Sequence, residues 1–341
     1  MRGVPSRRDT LRWTLGVLRG DGFHRGPSLP ESALFLANAR ALAACLGAQD
    51  LFDVRLSMAA GPWPHGELWR LCDEGASRSR MQTALLHACG DEVLGDLRGE
   101  GLAVMPIKGF HLGKSLYADV ALRPLGDVDL LVREGDYGRA QLLLERRGFQ
   151  RLDPGRSAFR GKFLNPANGV IIDLHSRLLA RWGGGSCCFE RSIDGVLTVE
   201  DSLVYSIRHG AIQHRLENIA WVNDVYFLLI RGGATLHWDR VMEGLKGGAE
   251  AAALLMFALV SDGEGVVLPP AVMAELALRA GVARAWVARR LASMEFLYGG
   301  ALRSWGGVAV LRATLRPMLL GSRRAAAPVP VKMAPAPAPK R

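Results

Sequence analysis

The spacing of hydrophobic residues changes twice along the chain, from helical to strand-like and back to helical. Residues 31–100 carry apolar side chains at the spacing of amphipathic helices. Short apolar runs at 102–107, 127–132 and 170–175 have the length and composition of strands. After residue 198 the helical spacing returns. The pattern therefore predicts a small α/β unit between two helical regions.

Turn residues indicate the remaining elements of this unit. Residues 110–117 predict one short helix, and a second helix follows the strand at 127–132 until Gly148 stops it. The dipeptide Asn168-Gly169 lies between two strand-like runs and is a strong hairpin signal. The unit thus combines a small mixed sheet with helices, which is an α/β (α+β) fold class.

Composition divides the chain into five stretches. Residues 1–30 are polar, basic and interrupted by Gly and Pro, which predicts a loosely ordered N-terminus. A helical lead-in covers 31–100, the α/β core covers 101–195, and a helical C-terminal region covers 196–320. Residues 321–341 are rich in Pro and Ala, so they predict a disordered tail.

The net charge of the chain favours a polyanionic partner. Lys and Arg number 43 against 33 Asp and Glu, which gives a formal charge of +10. Such an excess suits a nucleotide, a nucleic acid or a membrane surface. The basic residues are scattered and form no dense block beside aromatic residues, so nucleic acid stays open as a partner without being favoured.

Cysteine usage and hydropathy predict a cytoplasmic protein without a membrane span. The five cysteines are odd in number and contain no C-x-x-C pair, which is typical of free thiols in a reducing compartment. The N-terminus has no uninterrupted apolar segment, so no signal peptide is expected. The most apolar stretch, 251–260, is too short to cross a bilayer and predicts a buried helix.

Two carboxylates interrupt the most strand-like run of the chain. Asp127 and Asp129 are two residues apart, so a strand directs both side chains to one face. Two neighbouring carboxylates repel each other and are costly to keep ionised unless a cation joins them. Mg²⁺, which prefers oxygen ligands, is the natural candidate. The alternative is that this pair meets solvent or caps a loop at the start of the strand.

A third carboxylate, Asp173, lies in the middle of another predicted strand between Ile172 and Leu174. If that strand lies next to the first one, Asp173 completes a site with Asp127 and Asp129. Two metal ions about 3.5–4 Å apart in such a site could hold the attacking and leaving oxygens of a phosphoryl transfer.

Cationic and flexible residues precede the carboxylates. Lys108 and Gly109 lie where a strand gives way to a helix, and helix N-terminal amides favour anions. Gly109 lets the backbone approach a phosphate closely, and Arg123 could reach a triphosphate. Each cation could equally be a solvated surface residue.

Histidines and one further aspartate have simpler interpretations. His209 and His214 are five residues apart, a spacing that does not align them on one face of an α-helix, so no metal site is predicted there. His175 shares the predicted face of Asp173, but a histidine at the edge of a strand is the simpler interpretation. Asp224 either contacts substrate or pairs with an Arg or His inside the fold.

These residues resemble the nucleotidyltransferase superfamily typified by DNA polymerase beta, and more narrowly a bacterial family of uncharacterised nucleotidyltransferases. The resemblance covers roughly 31–300 and is strongest at 108–132. It rests on a helical lead-in, a Trp-h-x-Asp pattern in the C-terminal helices, and the following matching residues: Lys108-Gly109, Leu116-Tyr117, Arg123-Pro124 and the Asp-h-Asp-h-h-Val run at 127–132.

The resemblance implies a small mixed-sheet nucleotidyltransferase core and a specific reaction. A nucleoside monophosphate passes from an NTP to a hydroxyl acceptor, a small molecule, sugar or peptide, and pyrophosphate is released. It assigns metal binding and catalysis to Asp127, Asp129 and Asp173, with Asp173 helping the acceptor hydroxyl lose its proton. Lys108, Gly109 and Arg123 bind nucleotide in this interpretation. Two Mg²⁺ ions, or Mn²⁺ in their place, are the implied cofactors.

At one position the sequence differs from the superfamily pattern, so other functions remain candidates. Phe110 follows Gly109 where the superfamily usually has Ser, which holds the triphosphate. A non-catalytic relative that binds nucleotide or a partner protein therefore stays a candidate. A glycosyltransferase with a D-x-D motif is another, although that fold normally builds several βα units before the motif. The positive charge supports a template-free polymerase or an antitoxin-type regulator.

Overall fold

The computed structural model describes most of the chain between Gln49 and Ala280. The described residues are 48–58, 66–152, 159–178, 185–214, 218–261 and 266–282, with a few single residues elsewhere. Most of the predicted N-terminus at 1–30 and the whole predicted tail at 321–341 lie outside the described residues.

The described residues contain five strands: β1 (Val104–Pro106), β2 (Val128–Val132), β3 (Gln150–Arg151), β4 (Arg160–Leu164) and β5 (Ile171–His175). They form one mixed sheet in the order β1–β2–β5–β4–β3. Strands β2 and β5 run parallel, and the other neighbours pair antiparallel. This arrangement confirms the predicted small mixed sheet and its hairpin, in which Gly169 adopts a positive φ of 74°.

Helices precede the sheet, connect its strands and follow it, which confirms the α/β class. Thr198 caps the helix that begins at Val199, because its hydroxyl accepts a hydrogen bond from the Asp201 amide at 3.1 Å. The helices are α1 (Gln49–Met58), α2 (Gly66–Gly99), α3 (Lys108–Leu116), α4 (Tyr137–Arg146), α5 (Gly185–Arg191), α6 (Val199–Ile207), α7 (Ala220–Gly232), α8 (Trp238–Leu245), α9 (Glu250–Val260) and α10 (Pro270–Ala280).

The two faces of β2 lie in different surroundings. Val128, Leu130 and Val132 point to one face and share an apolar cluster with residues of α2 and α4. Leu131 points to the other face, where it packs with Tyr205 of α6 in a separate cluster. All five residues of β2 are buried, as the apolar run predicted. The second face also carries Asp129, so the fold directs this carboxylate away from the cluster of α2.

Phe110 belongs to the apolar cluster behind the sheet. Its side chain is 1% exposed and packs with residues of α2 and β2. Gly90 makes this packing possible, because a Cβ atom there would lie 2.7 Å from the Phe110 ring and 2.9 Å from Val128 Cγ1. The residue that replaces the usual Ser therefore serves the core of the sheet.

The C-terminal helices enclose a second core. Helix α9 is almost entirely buried, which confirms the buried helix predicted at 251–260. No helix in the described part of the chain is long and apolar enough to cross a membrane.

A π-helical turn at Arg208–Gln213 extends α6. The His214 amide donates to the His209 carbonyl at 3.0 Å, five residues back, and the two imidazole centroids lie 4.4 Å apart. The prediction that these histidines do not share a face is wrong, because a π turn is wider than an α turn. Both rings pack against Trp221.

Candidate active site

Three polar side chains form a row across the carboxylate face of the sheet. Strand β2 pairs Asp129 with Asp173 of β5, and β5 pairs Asp173 with Lys162 of β4. Cross-strand partners direct their side chains to the same face, so the three lie side by side. Asp129 is 5% exposed and Asp173 is fully buried. The predicted adjacency of the two carboxylates is confirmed by this register.

His175 joins the two carboxylates at their buried side. Its Nε2 atom lies 3.0 Å from Asp129 Oδ1 and 3.4 Å from Asp173 Oδ1. Donor atoms of these three residues lie within 4.8 Å of one another, close enough to hold one metal ion. The sequence interpretation of His175 as a strand-edge residue missed this contact, although its two-residue spacing from Asp173 was the available signal.

Asp127 lies at the rim of this group. It immediately precedes β2, and its side chain is 29% exposed against 7% for that of Asp129. Lys162 Nζ lies 2.6 Å from Asp127 Oδ2 and 3.9 Å from Asp173 Oδ2. The third predicted carboxylate is thus connected to the buried pair through a lysine.

Lys108 reaches the buried carboxylates from the first residue of α3. Its Nζ lies 2.5 Å from Asp129 Oδ1 and 3.4 Å from His175 Nε2, and it also contacts the Tyr205 hydroxyl. The Lys108 backbone has a φ of 53°, in the left-handed region that costs a residue with a side chain about 1–3 kcal/mol. The fold keeps this strained conformation where it directs an ammonium to the site.

Each carboxylate has a protein cation as a partner. Lys108 contacts Asp129, Lys162 contacts Asp127, and Arg160 donates from Nε to Asp173 Oδ1 at 2.9 Å. From the sequence, Mg²⁺ is the natural candidate for the cation that joins the carboxylates. The structure shows that lysine and arginine side chains also supply three positive charges at the same carboxylates.

These pairs determine the ionisation of the buried groups. Burial alone would raise the pKa of Asp129, but Lys108 and His175 outweigh it, so the pKa lies below its ordinary value. Burial likewise opposes the charged form of Asp173, yet hydrogen bonds from His175 and Arg160 hold its pKa far below the usual range. Burial disfavours the Lys108 ammonium, but the Asp129 charge raises its pKa above that of an exposed lysine. Asp129, Asp173 and Lys108 are therefore all charged at neutral pH.

Arg123 makes its contacts outside this cluster. Its Nε and Nη2 atoms donate to the two carboxylate oxygens of Asp224 on α7, each at 2.8 Å, and its side chain is 10% exposed. Tyr117 adds a third hydrogen bond to Asp224 Oδ1 at 2.8 Å. Of the two interpretations of Asp224, the buried pair is the one observed. Contact between Arg123 and a triphosphate stays a prediction, and it requires the guanidinium to leave Asp224.

The start of α3 offers backbone donors beside the carboxylates. Its N-cap is Ile107, whose apolar side chain makes no capping hydrogen bond to the first turn. The orphan amides and the helix dipole together favour an anion. Gly109 lies in this first turn, where a Cβ atom would come within 2.7 Å of Leu125 Cδ2. Glycine is thus needed for close packing of α3 on the loop that follows it.

The donor set fits a divalent cation. Asp129 and Asp173 offer ionised oxygens, His175 offers a nitrogen, and Asp127 adds a carboxylate at the rim. The lysine and arginine partners are themselves cations held at those oxygens, so the site already accommodates positive charge.

Comparison with models of protein families gives a match that covers the site. The model of a family described as "Uncharacterised nucleotidyltransferase" matches residues 64–262, which is more than half of the chain. The matched part contains the whole sheet, the carboxylate cluster and the Arg123–Asp224 pair. No curated protein matches the chain.

Proposed function

We propose that this chain, which belongs to the uncharacterised nucleotidyltransferase family, transfers a nucleoside monophosphate from an NTP to a hydroxyl acceptor. An acceptor oxygen would bond to the α-phosphorus as the bond to the pyrophosphate oxygen breaks, and the hydroxyl would lose its proton. The observation that carries the proposal is the side-by-side arrangement of Asp129 and Asp173 next to the uncapped start of α3.

Asp127, Asp129 and Asp173 are the proposed ligands of divalent metal, either two Mg²⁺ ions or Mn²⁺ in their place. A bound divalent ion supplies positive charge to the phosphoryl oxygens in such reactions. The carboxylates contribute by remaining ionised, which the low pKa values of Asp129 and Asp173 support. Their fixed positions on neighbouring strands support a preorganised site.

Lys108, Gly109 and the first turn of α3 are the proposed triphosphate contacts. The Lys108 ammonium is held at Asp129, so it can serve either that carboxylate or a phosphate at a given moment. An ion bound at Asp129 would free the ammonium for the phosphate. Gly109 places the first turn of α3 close to Leu125 and Arg123, where a Cβ atom would lie 2.7 Å from Leu125 Cδ2 and 3.2 Å from Arg123 Nη1. Arg123 is a further proposed contact, conditional on release from Asp224.

The Lys108→Met variant should distinguish the contact of Lys108 with Asp129 from its proposed contact with phosphate. Nucleotide affinity should fall by about tenfold or more, the effect of losing one charge-assisted hydrogen bond. Affinity for Mn²⁺ without nucleotide should rise, because the ammonium no longer competes for Asp129 Oδ1. Calorimetric titration with each ligand measures both effects, and a fall in both affinities would contradict the competition.

Asp173 is also the proposed acceptor of the hydroxyl proton. A carboxylate with so low a pKa is a weak base, so this role requires Arg160 to move away from it. The Arg160 side chain is 41% exposed, which leaves it room to move. The acceptor is proposed to be a small molecule, sugar or peptide, and nucleic acid is less favoured.

A cytoplasmic location stays part of the proposal. The cysteines whose side chains are described, Cys72, Cys89 and Cys188, are thiols and not disulfides, which fits a reducing compartment.

The proposal is tested by incubating the protein with each α-³²P-labelled NTP, Mg²⁺ or Mn²⁺, and a cell extract as the source of acceptors. We expect labelled product and pyrophosphate in equal amounts. Transfer from a UDP-sugar without transfer from any NTP would indicate a glycosyltransferase instead.

A second candidate is a relative that binds nucleotide without transferring it. The specific observation in its favour is that each carboxylate already has a protein cation as partner, a balance that needs no metal. Nucleotide binding with neither labelled product nor pyrophosphate, under every metal and acceptor tried, would favour this candidate.

A further inference from the structure

We infer that His175 is a direct ligand of the divalent ion and that it makes the site prefer Mn²⁺ to Mg²⁺. This inference rests on the proposed function, because it concerns the same metal site. It goes beyond the three carboxylates by adding a nitrogen donor and a metal preference.

Distances around His175 support one shared ion. Donor atoms about 2.1–2.2 Å from one metal, at right angles or slightly wider, lie about 3.0–3.4 Å apart. His175 Nε2 lies 3.0 Å from Asp129 Oδ1 and 3.4 Å from Asp173 Oδ1. His175 Nε2 thus lies at the separation of a neighbouring ligand from an oxygen of each carboxylate, and donor atoms of all three residues lie within 4.8 Å of one another.

Contacts of Lys108 indicate that a cation is favourable at this point. Its ammonium lies 2.5 Å from Asp129 Oδ1 and 3.4 Å from His175 Nε2, two of the atoms that an ion would bind. The His175 side chain is 5% exposed, so its nitrogen faces the carboxylates with little access for water. A cation at this point would replace the ammonium and recover the interactions that the ammonium makes.

The His175 nitrogen determines which metal ion the site prefers. Mg²⁺ takes oxygen ligands almost alone and gives up its water reluctantly. Mn²⁺ also suits oxygen ligands but, as the first member of the transition-metal affinity series, gains more than Mg²⁺ from an imidazole nitrogen. A site with only Asp127, Asp129 and Asp173 would suit Mg²⁺. With His175 as a ligand the ratio of Mn²⁺ to Mg²⁺ affinity should increase, and Co²⁺ should bind more tightly still by the general order of metal affinities.

The experiment uses the full chain and Mn²⁺ as the probe. Loss of the free Mn²⁺ signal in electron paramagnetic resonance gives the affinity, and competition by Mg²⁺ gives the preference. Electron spin-echo modulation of the bound ion reports a directly bonded ¹⁴N. We expect this ¹⁴N signal in the wild type and its loss in His175→Ala, with Mn²⁺ affinity about tenfold lower and Mg²⁺ affinity changed by less than about threefold.

Two variants separate a ligand from a positioning residue. His175→Gln keeps an N–H donor for the carboxylates but removes the imidazole, so it should also lose the ¹⁴N signal of imidazole. His237→Ala removes an exposed histidine that precedes α8, and it should retain both the signal and the preference. Thermal unfolding of each variant confirms that it is folded, and the Gln variant replaces Ala if Ala fails to fold.

The possible results have distinct consequences. Bound Mn²⁺ without ¹⁴N coupling in the wild type, or equal loss of Mn²⁺ and Mg²⁺ affinity in His175→Ala, would overturn this inference and leave the proposed function intact. Binding of neither ion in the wild type would overturn both, because the carboxylates would then hold no metal.

Discussion

Asn in place of Asp129 is expected to lower the rate of nucleotidyl transfer by about 10³-fold, which corresponds to about 4 kcal/mol of transition-state stabilisation. Asp129 lies at the centre of the proposed site, since Lys108 and His175 both contact its Oδ1 atom and Asp173 lies opposite it. The amide has nearly the same shape but no charge, so the change isolates the electrostatic contribution.

Measurement of this effect requires the rate of pyrophosphate release at saturating NTP for the wild type and for Asp129→Asn. Asp239→Asn is the matched control, because it makes the same chemical change at an exposed position of α8 and should retain full activity. Urea unfolding of both variants shows that each is folded. Transfer by Asp129→Asn within about tenfold of the wild-type rate would mean that this carboxylate is not part of the reacting site.

The strands could be predicted from the sequence because their signals are local. The apolar run of β2 and the Asn168-Gly169 turn before β5 each depend on a few neighbouring residues. Pairing between β2 and β5 is different, because the two strands are separated by more than thirty residues and run parallel. Hydrophobic pattern alone does not set their register, so the adjacency of Asp129 and Asp173 was a hypothesis until the structure showed the pairing.

The cation partners of the carboxylates could not be counted from the turn signal. A two-residue turn at Asn168-Gly169 would place Leu164 opposite Asp173. The observed loop is two residues longer, and it pairs Lys162 with Asp173. The structure was therefore needed to identify the lysine opposite the third carboxylate.

Backbone conformation and long-range contacts are the features of the site that the sequence could not predict. The positive φ of Lys108 has no sequence signal, because only the surrounding packing holds a lysine in the left-handed region. The pairing of Arg123 with Asp224 joins residues 101 positions apart, which no local pattern connects. In the sequence Arg123 lies close to Asp127, which is why a nucleotide contact is predicted for Arg123. The distant Asp224 that binds Arg123 in the fold is not evident from the sequence.

Loss of the Asp224 carboxylate is expected to lower the free energy of unfolding by about 3–5 kcal/mol, the usual cost of leaving a buried charge without its partner. In Asp224→Ala, the Arg123 guanidinium would lose both of its 2.8 Å hydrogen bonds to Asp224, although the Arg123 side chain is only 10% exposed. The Tyr117 hydroxyl would lose its partner as well. Because Asp224 lies on α7 and Tyr117 directly follows α3, the change also removes one of the polar links between α3 and the C-terminal helices.

Urea unfolding measures this effect against a matched exposed pair. Arg177 donates to both oxygens of Glu134, at 3.0 and 2.7 Å, in the same two-bond geometry, but the two side chains are 40% and 54% exposed. Glu134→Ala should therefore leave the free energy of unfolding nearly unchanged, because water replaces the lost partner. If Asp224→Ala were no more destabilising than Glu134→Ala, burial of the pair would not be the cause.

A double variant distinguishes the destabilisation caused by an unpaired buried charge from that caused by lost packing. Replacing Arg123 by Met and Asp224 by Leu removes both charges and keeps most of the apolar volume, so it should recover most of the stability lost in Asp224→Ala. Recovery of stability in this variant also makes it a probe of function, since it lacks the guanidinium that was predicted to bind triphosphate. Unchanged nucleotide affinity in the double variant would identify Arg123 as a structural residue, whereas a loss of affinity would mean that it leaves Asp224 when nucleotide binds.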